Sequence, residues 1–169
     1  MAEPDTPAPH PGARIVKIEL DEPRGLRRTP MAEAERATAI HDLLAGNAFT
    51  LPGHDNGPYY LRIATDGHRL ILRLRNAERV ELPEIALSLM PLRRLIHDYF
   101  LICSSYGMAH TGGDRNRLES IDMARRGLHD EGATILRRGL SAHAEIDHAT
   151  ARSLFTLACV LQIGRVQPW

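Results

Sequence analysis

Lysine is almost missing from this sequence: of its 21 basic residues, only Lys17 is not an arginine. Arginine suits bidentate binding of phosphate or carboxylate, yet a GC-rich coding bias produces the same composition without any function attached. Net charge is missing as well, with 21 basic against 21 acidic residues. No global field therefore draws the chain to nucleic acid or to an anionic membrane. Cysteine is down to two, Cys103 in "YFLICSSY" and Cys159 in "LFTLACVL". Two distant thiols make neither a disulfide framework nor a zinc pattern, and they read as small buried hydrophobes in a reducing compartment. No apolar run approaches the roughly 18 residues of a membrane span. The opening "MAEPDTPAPHPGA" has neither the basic nor the apolar region of a secretory signal. These absences point to the cytoplasm.

Catalytic signatures are missing too. There is no phosphate-binding Walker loop, no Gly-x-Gly-x-x-Gly and no nucleophile elbow. Nine histidines are present, but none pair at helical i,i+4 spacing and no Cys-x-x-Cys accompanies them, so neither a metal nor a cofactor is expected.

What is present is an ordinary globular composition, 43% hydrophobic and 25% charged over 169 residues. That length fits one domain, expected over residues 14–163 between a Pro-rich tail at 1–13 and a short tail at 164–169. "RIVKIELD" alternates as a half-buried strand with Val16, Ile18 and Leu20 inward. Thr29 and Pro30 open a helix that closes at Gly46. Its expected apolar stripe is Ala37, Ile40, Leu43 and Leu44, with Glu33, Glu35 and Arg36 facing solvent. "AFTLPGHDNGPYY" reads as a surface loop. Asp66-Gly67 then supplies the turn of a hairpin between "YYLRIAT" and "HRLILRLR". Pairing outward sets Ile63 opposite Leu70, Leu61 opposite Leu72 and Tyr59 opposite Leu74, all on one face. A further strand, "PEIALSLM", buries Ile85, Leu87 and Leu89.

Pro91 begins a helix with a stripe of Leu92, Leu95, Ile96, Tyr99, Cys103 and Tyr106. "HTGGDRN" breaks it, and a second helix runs from about Leu118 to Leu140. Asp147 caps a last helix that is apolar nearly all round from Leu154 to Leu161, which marks it as central. Strands followed by a run of helices predict an α+β fold. It has an antiparallel sheet of about four strands packed on about four helices, the last three consecutive.

The helix ending at Leu140 carries the candidate site. Arg125 falls within its apolar sector, Asp122 and His129 lie at the edge, and spacings of three and four let them meet along one ridge. A buried arginine must be paired. The three glycines 127, 132 and 139 in this helix imply close backbone approach, a bend or a break. The outward face holds Glu119, Arg126, Asp130 and Arg137, with Arg126 and Asp130 as a solvated pair.

Two readings of the trio stand side by side. One is an ion-paired cluster that fixes helix register. The other is an open pocket where Arg125 or Arg126 anchors an anion while Asp122 or His129 handles a proton. On the preceding helix, Arg93, Arg94 and His97 form a polar face that either is simply solvated or shares an anionic ligand with the trio. The hairpin's second face, Arg62, Arg69, Arg73 and Arg75 with Tyr60, is a weaker nucleic-acid signal.

Two long stretches, "RRLIHDYFLICSSY" and "IDMARRGLHDEGATILRRGL", with "ARSLFTLACVL", "RIVKIELDE" and "GPYYLRI", carry a family resemblance. Over residues 14–162 the chain resembles the uncharacterised protein family 0262 of small alphaproteobacterial proteins. The resemblance implies a cytosolic single-domain protein with these stretches as its hallmark, and it carries over no catalytic role. The Pro-rich opening and "RVQPW" depart from it. The functional expectation is a non-enzymatic module for a protein partner or a small anionic ligand, with self-association left open. A small enzyme acting on an anionic substrate is the alternative.

Overall fold

Turn and cap residues place most elements where the sequence puts them. The computed structural model describes residues 12–54 and 57–163. The expected tails, except Gly12 and Ala13, lie outside the described residues. Ala13 is buried, and its carbonyl accepts the Phe49 N–H at 3.0 Å. The elements are β1 (Ile15–Leu20), α1 (Pro30–Ala45), β2 (Phe49–Thr50), β3 (Tyr59–Thr65), β4 (Arg69–Arg75) and β5 (Ile85–Ser88). After a 3-10 turn at Met90–Leu92 come α2 (Arg93–Gly112), α3 (Arg115–Leu140), β6 (Glu145–Ile146) and α4 (His148–Ile163). The fold is α+β.

Three of the helix starts are capped as their residue types dictate. Thr29 accepts from the Ala32 N–H, Asp114 from the Arg117 N–H, and Asp147 from the Thr150 N–H, each filling an acceptor role the first turn cannot supply itself. The main sheet runs β1-β3-β4-β5. β3, β4 and β5 are antiparallel as expected, but β1 pairs parallel with β3. A parallel partner needs a long crossover, and α1 with β2 provides it.

The hairpin about Asp66-Gly67 is present, with its register shifted. Ile63 faces Leu72, Leu61 faces Leu74 and Thr65 faces Leu70. The two-residue loop is Gly67-His68, one position later than read, with Gly67 at φ +94°. Glycine at the first central position is the II′-type arrangement. Asp66 is instead the residue before the loop, where its carboxylate accepts from the His68 and Arg69 N–H groups. Those backbone hydrogen bonds hold its pKa down at about 2. Each partner moved by two residues, so no side chain changed face.

In β1 the inward alternation is interrupted. The pairing shifts between Ile15 and Lys17, so Ile15 is buried and Val16 is exposed, while Ile18 and Leu20 remain half-buried. A bulge inserts one residue and turns it out of phase. The expected surface loop after Gly46 contains β2, which pairs antiparallel with β6 through Phe49–Ile146 and Thr50–Glu145. Two residues per strand are too short to show alternation, which is why the sequence hides them.

Helix α4 lies at the centre, packed on α3, α1, β3 and α2, and every residue from Leu154 to Gln162 is buried. The stripe of α2 is as read, except that Tyr106 is only half-buried. Helix α3 is continuous, so its glycines mark neither a break nor an end. At Gly132 a Cβ would lie 2.6 Å from the Phe155 ring, so close approach of α3 to α4 is what that glycine serves. Gly139, placed in the buried sector from sequence, is exposed. No helix among the described residues is long and apolar enough to cross a membrane.

Candidate functional site

The site begins with the rotation of α1 about its axis. Its buried residues are Ala32, Ala39 and Leu43, while Ala37 and Leu44 are exposed. The stripe expected from sequence is therefore off by roughly a quarter turn at 100° per residue. Small alanines, rather than the larger Leu44, mark the packed side, because they allow the helix to sit close. Glu35 is three residues after Ala32 and four before Ala39, so it shares their ridge. Expected on the solvent face, it is turned inward, with its side chain only 11% exposed. Arg36 is likewise half-buried and binds Glu22 through two hydrogen bonds of 2.8 Å.

Helix α3 brings its trio to the same place. Arg125 donates from Nε at 3.2 Å and Nη2 at 2.8 Å to Asp122 Oδ1. Its Nη1 donates to Glu35 Oε1 at 2.9 Å. The other Glu35 oxygen lies 3.2 Å from His129 Nε2. His129 Nδ1 lies 3.0 Å from Thr156 Oγ1 of α4. Tyr99 of α2 and Phe155 of α4 pack edge-on against the imidazole, each at 5.9 Å between ring centroids. Four helices thus meet at one histidine. The depth order differs from the sequence reading, since His129 is 2% exposed while the Arg125 side chain is 25% exposed. Arg126 pairs with Asp122 at 3.0 Å rather than with Asp130, and Asp130 faces His148 and Arg152 instead.

Proton placement follows from the partners. A carboxylate only accepts, so His129 Nε2 carries a hydrogen toward Glu35. Nδ1 then accepts from the Thr156 hydroxyl or, in the imidazolium, donates to it. The hydroxyl has one hydrogen and a second acceptor, the Arg152 carbonyl at 3.1 Å, so its rotation follows the charge on the ring. Burial pushes the Glu35 carboxyl up, but the hydrogen bond and charge of His129, the nearby Tyr99 hydroxyl and Arg125 together outweigh it and hold the pKa below its ordinary value. Hydrogen bonding to Arg125 does the same for Asp122. Burial, and then the Glu35 charge, push the Tyr99 phenol far up, so it stays protonated. Among the described residues the Tyr99 hydroxyl has no hydrogen-bond partner.

This network forms the inner wall of a cleft of about 630 Å³. Met31, Ala34 and Thr38 of α1 line one side and Arg152 and Ser153 of α4 another, with Tyr106 and His110 of α2 also lining it. The Tyr106 and His110 rings are nearly parallel, 6.1 Å apart. Of the residues singled out from sequence, Asp122, Arg125 and His129 line this cleft, whereas Arg93, Arg94, His97 and Arg126 do not. Arg94 pairs with Glu131 of α3 at 3.2 Å.

The hairpin arginines are elsewhere, on the outer sheet face, and each has a carboxylate. Arg62 is paired with Asp21, Arg69 with Asp66, Arg73 with Glu84 and Arg75 with Glu81. Among the described residues no group of three His, Cys, Asp or Glu side chains is placed to hold a metal ion. Sequence reasoning missed Glu35, Tyr99 and Thr156 as members of the site. The alanine spacing around Glu35 was the available signal. Thr156 in an otherwise apolar helix was another, since a buried hydroxyl needs a partner.

The profile of the uncharacterised protein family UPF0262 matches residues 12–164. A UPF0262 protein of Brucella anthropi is 47% identical over 152 residues, covering 89% of this chain and 94% of the relative. One from Rhizobium leguminosarum bv. trifolii is 45% identical over 148 residues, with 88% and 94% covered. One from Brucella canis is 46% identical over 152 residues. No solved structure matches the chain. With the profile spanning all the described residues, and relatives this similar along nearly their full length, the chain belongs to the UPF0262 family.

Proposed function

We propose that this chain is a non-enzymatic cytoplasmic binding module whose ligand site is the cleft between α1, α3 and α4. The proposed ligand is a small anion with an apolar body. One observation carries the reading: the cleft's inner wall is already paired, so it acts as a rigid floor rather than as a set of free reactive groups. Both ring nitrogens of His129 are engaged, by Glu35 and Thr156, and each of the three guanidinium nitrogens of Arg125 donates to Asp122 or Glu35. An acid–base role for His129 needs a free ring nitrogen facing substrate, and the alternative of a small enzyme lacks that support. The nucleic-acid reading is weakened in the same way, because every arginine of its set has a carboxylate partner.

The least committed cation in the cleft is Arg152, whose side chain is 41% exposed and only 4.0 Å from Asp130. It is the proposed anchor for the anion, and Met31 and Ala34 are the apolar contact. The cavity volume falls within the range of small-molecule sites.

The test is thermal unfolding with a panel of carboxylate and phosphorylated metabolites, on wild type, Arg152→Ala and Ala34→Trp. A ligand of the native state raises the midpoint by mass action. The expected result is a shift in wild type that disappears in both variants, since one removes the anchor and the other fills the cleft. A shift that survives Ala34→Trp, or turnover of any panel member, refutes the proposal.

A further inference from the structure

The loop joining β4 to β5 contains the one described non-glycine residue with a positive φ, Arg79 at +63°. The Asn76 N–H donates to the Val80 carbonyl at 3.0 Å, and the Arg79 N–H donates to the Asn76 carbonyl at 2.9 Å. This is a three-residue hairpin loop in which the residue before Val80 must be left-handed. Asn76 is buried, and its Oδ1 accepts from the Glu78 and Val80 N–H groups at 3.1 and 2.9 Å, so the loop is over-determined and Arg79 cannot relax. Glycine or asparagine fills such a position with little strain. An arginine held there is a backbone outlier of the kind that accompanies ligand sites.

What Arg79 faces gives the outlier a role. It lines a groove of about 470 Å³ on the outer face of the sheet, opposite the helices, together with Lys17, Tyr60, Arg73 and Arg75. The other cations of this groove are matched: Lys17 by Glu19, Arg62 by Asp21, Arg73 by Glu84 and Arg75 by Glu81. Among the described residues Arg79 has no ion-pair or hydrogen-bond partner for its guanidinium. Tyr60 is half-exposed, pairs across the strands with Arg75, and stacks on no other ring among the described residues. An unmatched guanidinium and a half-exposed phenol ring lining one groove of small-molecule size match a ligand that has both a phosphate and a flat ring.

We propose that this groove is a second ligand site, for a nucleoside phosphate, with Arg79 binding the phosphate and Tyr60 contacting the base. The site is independent of the helical cleft, so either can fail without the other.

The experiment is calorimetric titration of the full chain with adenosine diphosphate and with inorganic pyrophosphate, beside melting curves without ligand. The variants are Arg79→Gly, Tyr60→Ala and Arg137→Ala; the last removes one exposed charge from α3, on the other side of the sheet. Arg79→Gly should melt roughly 2–4 °C above wild type, because it removes the left-handed strain, yet should bind adenosine diphosphate about tenfold or more weakly. Tyr60→Ala should reduce the nucleotide's affinity to that of pyrophosphate, and Arg137→Ala should bind like wild type. Any one of three results overturns the proposal: no binding of either probe to wild type, equal weakening by Arg79→Gly and Arg137→Ala, or equal wild-type affinity for the two probes.

Discussion

Replacing Glu35 by alanine tests the central network most directly. Its carboxylate holds Arg125 Nη1 at 2.9 Å and His129 Nε2 at 3.2 Å. Removing one member of a fully buried pair costs about 3–5 kcal/mol. Here Arg125 keeps Asp122 and is a quarter exposed, which lowers its share to about 1–2 kcal/mol. The His129 N–H is then left without an acceptor in a nearly sealed position, which adds about 1–2 kcal/mol. The sum is about 3 kcal/mol, or a midpoint lower by roughly 6–12 °C at this chain length.

Urea unfolding should show a lower transition midpoint at unchanged slope. Glu35→Leu combined with Arg125→Met should recover the arginine's share of the loss but not that of the His129 N–H, because an apolar pair leaves no unpaired charge yet supplies no acceptor. The pH dependence has a defined sign. The folded pKa of Glu35 is below its ordinary value of 4.5, so its contribution is present above that pH and lost as pH falls through the folded value. The stability gap between wild type and Glu35→Ala should therefore shrink in acid. A loss under about 1 kcal/mol at neutral pH, the size of a solvated pair, would refute the inward placement of Glu35.

Glu22 accepts from Arg28 at 2.7 Å and from Arg36 at 2.8 Å, and the Arg28 side chain is 5% exposed with Nε on the Val160 carbonyl. Glu22→Ala should cost about 2 kcal/mol in chemical denaturation, and a loss below about 0.5 kcal/mol would class it with surface pairs. Two glycines of α3 should respond with opposite signs. Gly127→Ala has open space around it and should stabilise by about 0.5–1 kcal/mol, whereas Gly132→Ala meets the Phe155 ring and should destabilise by about 1–3 kcal/mol; equal signs would contradict the α3–α4 packing. Burial pushes the Cys103 thiol up to about 11 and Cys159 well above its ordinary value. Neither should react with a thiol reagent at neutral pH until the chain unfolds, and labelling of the native protein at the rate of a free thiol contradicts that burial.

Local chemistry was legible without coordinates. The Thr29 and Asp147 caps, the hairpin about Asp66-Gly67, the stripe of α2 and the apolar α4 each follow from residue types within a few positions of one another, where backbone sterics and hydrogen-bond supply leave few options. The trio Asp122, Arg125 and His129 was legible as a polar set on a buried helix face for the same reason.

Choices between near-equal local solutions were settled only in the folded chain. The rotation of α1 depends on which side packs closest, so Ala32 and Ala39 prevailed over Leu44 and carried Glu35 inward with them. The parallel pairing of β1 with β3, the bulge after Ile15 and the joining of β2 to β6 are contacts between distant segments, with no local signature. The site itself has the same origin. Helix α3 supplies a guanidinium and an imidazole, but the carboxylate and hydroxyl that complete them come from α1 and α4, and only the packing of the helices brings those groups within hydrogen-bonding distance.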